Sequence, residues 1–213
     1  METIPYLSKT TRSIDVQALG RQISEAQDRD GGIPWKPGGK TDPWDLVESA
    51  MGLGIVGYLE EARAAYEWMA NKQLPDGSWY AAYGNGIPKD KTKDANMSTY
   101  IAVGMLHYFL ITGDRRFLFE MWETVDKAVD FALRLQAPGG EIFWAISPRG
   151  EVDRMALLTG SCSIYMSIRC ALVIAKVLGL SNRRWETSHR LLGQAIRFKP
   201  YLFNMTKSRY AMD

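Results

Sequence analysis

MSTYIAVGMLHYFLITG, residues 97–113, runs for the length of a helix with almost no polar face. A helix at the surface of a globular protein needs such a face, so this one belongs inside. Two further stretches share its character: LVESAMGLGIVGYL at 46–59 and LLTGSCSIYMSIRCALVIAKVLGL at 157–180, each broken only by isolated polar residues. Between them the periodicity predicts one-sided helices at 15–27, 60–73, 115–136 and 182–198, with apolar residues at helical spacing. Apolar-all-round and amphipathic helices thus alternate, which predicts an all-α fold in which inner helices are wrapped by outer ones.

The helix boundaries carry their own chemistry. Asp42, Pro43 and Asp45 supply a capping side chain, a proline where no amide donor is needed, and an acid at the positive helix end. Asp94 is placed to cap the second inner helix and Asp114 the outer helix after it. Three times an amphipathic helix ends in Gln, a glycine turn follows, and a Trp arrives before an inner helix. The three are Gln27 with Gly31 and Trp35, Gln73 with Gly77 and Trp79, and Gln136 with Gly139 and Trp144. Inner-to-outer connections are tight and outer-to-inner ones long, so the long loops gather on one rim, where function is expected.

Composition narrows the partners. Among 213 residues the net charge is +2, with Lys and Arg dispersed, which leaves no electrostatic footprint for nucleic acid. Cys162 and Cys170 lie eight residues apart in one predicted helix and cannot pair there. With two histidines and no metal-ligand spacing, neither metal nor cofactor is expected. The N-terminus lacks a signal-peptide layout, and the most apolar run carries Arg169 and Lys176. The expectation is a cytoplasmic protein without a transmembrane segment. Residues 1–14 read as a lead-in and 15–213 as one domain.

The unit Gln73-x-x-x-Gly77-x-Trp79 resembles the repeat of terpenoid cyclases and protein prenyltransferases, whose family fold is an α/α toroid. From about Gln22 to Asp213 the order of elements, with TGDRRFLFEMWETVDKAVDFALRLQ and GEIFWA, is also similar to bacterial prenyltransferase-like proteins and, more distantly, to six-hairpin glycosidases. The cyclases' Asp-x-Asp-Asp pattern and the prenyltransferases' zinc set of Asp, Cys and His are absent, so neither catalytic set transfers. About seven helices are read where a closed six-hairpin ring needs twelve, which makes the toroid partial, with self-association expected at its open edge.

Four carboxylates are the candidate catalysts. Glu48 lies one turn inside a buried helix, where an ionised group needs a partner, and Arg169 is the candidate. Asp45 shares its helical face. Asp94, with Asn96, precedes the second inner helix. Glu141, in a glycine-preceded loop without a capping task, is the first choice of acid. Trp35, Trp44, Trp79, Tyr83, Tyr100 and Trp144 cluster at the same rim as candidate binding residues, suited to stacking on sugars or stabilising a carbocation. The bland alternative is that the repeat Gln and Trp residues tie loops to helix ends. His107 reads as a satisfied core residue. The leading expectation is a prenyltransferase-like or cyclase-like protein binding an isoprenoid. The alternatives are a carbohydrate-active enzyme of the six-hairpin glycosidase type and a non-catalytic assembly module. A lining of Phe, Met, Leu and Tyr favours the first, and Trp with several carboxylates the second.

Overall fold

The protein, in a computed structural model, is described over residues 14–205. The lead-in at 1–14, apart from its last residue, and the tail at 206–213 lie outside that range. The helices are α1 (Val16–Ala26), α2 (Pro43–Ile55), α3 (Leu59–Lys72), α4 (Ala95–Thr99), α5 (Ile101–Thr112), α6 (Arg115–Glu120), α7 (Trp122–Leu133), α8 (Leu158–Leu178) and α9 (Arg183–Phe198). Tyr100 and Met121 keep right-handed helical backbone angles, so α4 runs into α5 and α6 into α7. The described residues therefore form seven helical rods. Rods α2, α4–α5 and α8 form the inner row, with α1, α3, α6–α7 and α9 outside it, in a partial α/α toroid.

Each start and stop has a local cause. Asp15, Asp42, Asp94, Asp114 and Asn182 all accept a backbone N–H of their helix's first turn through the side chain. Gly113 and Gly179 close α5 and α8 in the left-handed conformation that favours glycine. Inner helices pack closely: a Cβ on Gly104 of α5 would lie 2.6 Å from Val47 of α2.

The inner helices are buried on one side rather than all round. Leu46, Val47, Leu53, Ile101, Ala102, Met105, Ile164, Ile168 and Ile174 are fully buried. Their opposite faces are open: Ile55 is 70% exposed, Leu110 72% and Met166 52%. Helix α8 is long and apolar enough to span a bilayer by length and composition alone. Here its buried face packs on α4, α5, α7 and α9 as a core helix.

The Gln–Gly repeat is a clasp made three times. Gln27 Nε2 donates to the carbonyls of Gly31 (2.9 Å) and Glu61 (3.0 Å), Gln73 Nε2 to Gly77 (3.1 Å) and Thr124 (2.9 Å), and Gln136 Nε2 to Gly140 (3.0 Å) and Ser188 (3.0 Å). Each time the amide closes its own turn and holds the next outer helix. Gly31, Gly77 and Gly140 have φ of 94°, 84° and 103°, and a Cβ there would lie 2.3, 2.1 and 2.5 Å from a carbonyl oxygen of that neighbouring helix. The clasp thus needs glycine for backbone conformation and for space.

The long connectors do gather on one rim, and they add strands that helical periodicity does not reveal. Strands β1 (Lys40–Thr41), β2 (Ala82–Gly84) and β3 (Ile87–Asp90) form one antiparallel sheet. Strands β4 (Lys93–Asp94), β5 (Ala145–Ile146) and β6 (Val152–Asp153) form another. The first connector thereby pairs with the second, and the second with the third, at the N-terminal ends of α2, α4 and α8. The two sheets tie that rim together.

Candidate active site

At the start of α2 the capping residue does more than cap. Asp42 is 3% exposed; its Oδ1 accepts the Asp45 N–H (2.9 Å) while its Oδ2 accepts Trp35 Nε1–H (2.6 Å). One buried carboxylate therefore fixes both the helix end and the indole above it. Lys40 Nζ sits 3.5 Å from the centre of the Trp35 ring. One turn further on, Glu48 Oε1 accepts the Tyr100 hydroxyl (3.3 Å), and Tyr100 stacks on Trp44 with ring centres 3.7 Å apart and planes 13° from parallel. Helices α2 and α5 are in this way joined across the concave face by an aromatic pair and a carboxylate.

Trp35, Asp45 and Glu48, with Ser49 and Gln22, line a cleft of about 730 Å³ between α1, the 33–37 loop and α2. Loss of water raises the Asp45 carboxyl above its ordinary range, and the adjoining Asp42 and then Glu48 charges add to the shift. Tyr100 is raised by burial and then by the Glu48 charge. A carboxyl with raised proton affinity beside a second carboxylate is the equipment of general acid chemistry on a polar substrate.

A second, smaller cavity of about 90 Å³ lies between the starts of α4 and α8, lined by Asp94, Asn96, Trp144, Thr159 and Ser161 among others. Asp94 Oδ1 accepts the Met97 N–H (2.9 Å), yet burial pushes its pKa up to about 6 against the cap's opposing pull. The Trp144 carbonyl accepts the Ala95 N–H (2.8 Å), fixing the third connector over the second inner helix.

Several sequence expectations are corrected here. Glu48 is exposed, and no ion pair joins it to Arg169 among the described residues. The open concave face supplies solvent where a packed interior was expected. Arg169 is exposed and lines a different cavity beside Lys176 and Asn182. Trp79 and Tyr83 are 1% and 2% exposed and belong to the core: Trp79 Nε1 donates to the Met69 carbonyl (2.8 Å), and the Tyr83 hydroxyl accepts the Tyr80 N–H (3.0 Å). Glu141 borders neither cavity; its Oε2 is buried near Gly139 and Leu202 without a hydrogen-bond partner. It follows Gly140, and a side chain there is carried toward the segment after α9. His107 Nδ1 is buried without a hydrogen-bond partner, so this histidine is not the satisfied core residue expected. Asp42 is the member of the site that a capping role concealed; its place seven residues after Trp35 was the available signal.

Comparison with known proteins bears on the chemistry. No family model matches the chain. It is 45% identical over all 213 residues to an MMP endo-(1,4)-3-O-methyl-alpha-D-mannosidase of Mycolicibacterium hassiacum, covering 59% of that protein. Among solved structures, a family 76 glycoside hydrolase, a mannosidase from Bacteroides thetaiotaomicron, superposes with TM-score 0.59 at 14% identity over 79% of this chain and 48% of its own. A cellobiose 2-epimerase from Spirochaeta thermophila gives 0.61 at 16% over 89% and 56%. The chain thus spans between about half and three-fifths of the proteins it matches. These likenesses overturn the prenyltransferase-like and cyclase-like expectation, and with it the isoprenoid, and the fold is the α/α toroid that the chain shares with sugar-acting enzymes.

Proposed function

We propose that this chain is part of a glycoside hydrolase that cleaves a mannose-type glycan internally, with Asp45 and Glu48 as the reacting carboxylates it contributes. The observation that carries this reading is the meeting of both in one cleft with Trp35, Glu48 being bonded to the Tyr100 that stacks on Trp44. Glycoside cleavage needs an acid to protonate the departing oxygen and a second carboxylate to assist attack at the sugar carbon. Asp45, whose carboxyl is raised by burial and then by the Asp42 charge, suits the first task. Glu48, oriented by Tyr100, suits the second. The stacked Trp44 and Tyr100 rings offer an apolar face to a pyranose. The similarity to the Mycolicibacterium mannosidase supports the substrate class.

The test is turnover of α-(1,4)-linked 3-O-methylmannose oligosaccharides, followed by mass spectrometry of the shortened products, with binding read in parallel from tryptophan fluorescence. Asp45→Asn is expected to slow cleavage by about 10²-fold or more, the usual yield of a general acid, while binding persists. Wild-type turnover in that variant refutes the assignment.

A further inference from the structure

The small cavity between α4 and α8 holds buried polar groups that the fold leaves unused. Ser161 is 1% exposed and its Oγ has no hydrogen-bond partner; the same holds of Asn96 Oδ1. Both residues line the cavity together with Asp94. A buried polar atom left unpaired is costly, so two such groups facing one space beside the Asp94 carboxyl point to something that hydrogen-bonds there. The space is specific in size. At about 90 Å³ it is far smaller than the cleft of about 730 Å³ and suits the hydroxyl-bearing edge of a sugar better than a whole ring with its neighbours.

Position links the cavity to the larger cleft. Asn96 and Tyr100 are four residues apart on one continuous helix, hence on the same face and about 6 Å apart along the axis. Tyr100 is the residue bonded to Glu48 and stacked on Trp44. Glu48 of the cleft and Asn96 of the small cavity are thus linked through Tyr100, at the N-terminal ends of neighbouring inner helices.

We propose that the Asp94–Asn96–Ser161 cavity is a second sugar subsite, receiving a pair of hydroxyls from the unit next along the glycan from the one held at Asp45 and Glu48. This rests on the carbohydrate reading above. Asn96 Oδ1 accepts one hydroxyl, the Asp94 carboxyl engages the other, and Ser161 donates to or accepts from either. Only the edge of the ring enters, with its face left outside beside Trp144.

Isothermal titration with α-(1,4)-linked 3-O-methylmannose oligosaccharides of one to four units tests the subsite. In Asn96→Ala with Ser161→Ala, the tetrasaccharide is expected to bind at least about 10-fold more weakly, as loss of a buried hydrogen-bonding pair implies, while the monosaccharide is unaffected. A merely structural role does not move that dependence on chain length. Ser161→Ala alone, which deletes one atom within a helix, carries the test if the double variant does not fold. Unchanged tetrasaccharide affinity in folded variants, with binding lost in Trp44→Ala, overturns the subsite and leaves the carbohydrate reading standing. Failure of the unaltered chain to bind any of the sugars overturns both.

Discussion

Replacing Gln73 separately by Ala and by Glu isolates what the clasp contributes. The Gln73 amide spends both N–H groups on carbonyls, those of Gly77 at 3.1 Å and Thr124 at 2.9 Å, and both acceptor residues are buried. Alanine deletes two neutral hydrogen bonds at roughly 1 kcal/mol each, a loss of about 2 kcal/mol. For a chain of this length that lowers the melting temperature by about 4–8 °C. Glutamate is nearly the same shape but turns an ionised oxygen toward a carbonyl oxygen in place of a donor. Q73E is therefore expected to melt below Q73A at pH 7. Near pH 4 its carboxyl regains a proton and one donated bond, and the order reverses. Melting followed by circular dichroism at both pH values makes the measurement. Q73E as stable as the unaltered chain at pH 7, or the same ranking at both pH values, refutes the donor argument.

Gly140→Ala places a Cβ 2.5 Å from the Leu191 carbonyl at φ 103° and is expected to cost at least about 2 kcal/mol, while Gly38→Ala, at φ 69° with nothing within 4 Å, costs about 1 kcal/mol; urea midpoints compare them. Asp94 has its pKa raised from 3.8 to about 6, so native Asp94 is penalised once ionised, and the penalty grows as pH rises from about 4 to about 6, then levels off. Asp94→Asn keeps a competent cap, and its stability relative to the unaltered chain is expected to improve across that window by up to about 3 kcal/mol; a flat difference in unfolding free energy against pH refutes this. Glu141→Gln is expected to leave oligosaccharide cleavage within about twofold, since its carboxyl reaches neither cavity, and a hundredfold loss typical of a missing general acid contradicts that placement. Tyr100→Phe keeps the stack on Trp44 but frees Glu48, so turnover falls while the melting temperature moves by no more than about 2–4 °C.

The helical framework was legible because its signals are local. Apolar runs, capping aspartates and closing glycines each act within a turn or two, and the helices begin at or close to the positions those signals predict. The glutamines were legible as loop ties for the same reason, although the third clasp closes on Gly140 and not on the Gly139 read from the sequence, which restores the four-residue spacing of Gln27–Gly31 and Gln73–Gly77. What periodicity does not distinguish is a packed interior from an open concave face, because both call for apolar side chains; Glu48 and Arg169 were paired on that account. Nor does it foresee two-residue strands such as Lys40–Thr41, whose partner lies more than forty residues away. Trp35 and Trp79 were read as equivalent, yet Trp79 stands two residues after its clasp glycine, where Ile33 and Ile142 are likewise buried, whereas Trp35 stands four after Gly31 and is 60% exposed.

The clasp has a consequence for how this architecture drifts. Its distant acceptors are the main-chain oxygens of Glu61, Thr124 and Ser188, an acid, a hydroxyl beside an aliphatic methyl, and a small alcohol. Every residue type supplies that oxygen, so the receiving helix imposes no side-chain identity at the point of attachment. Neighbouring hairpins are free to diverge wherever they are held, and the obligation falls on the glutamine and glycine that do the holding.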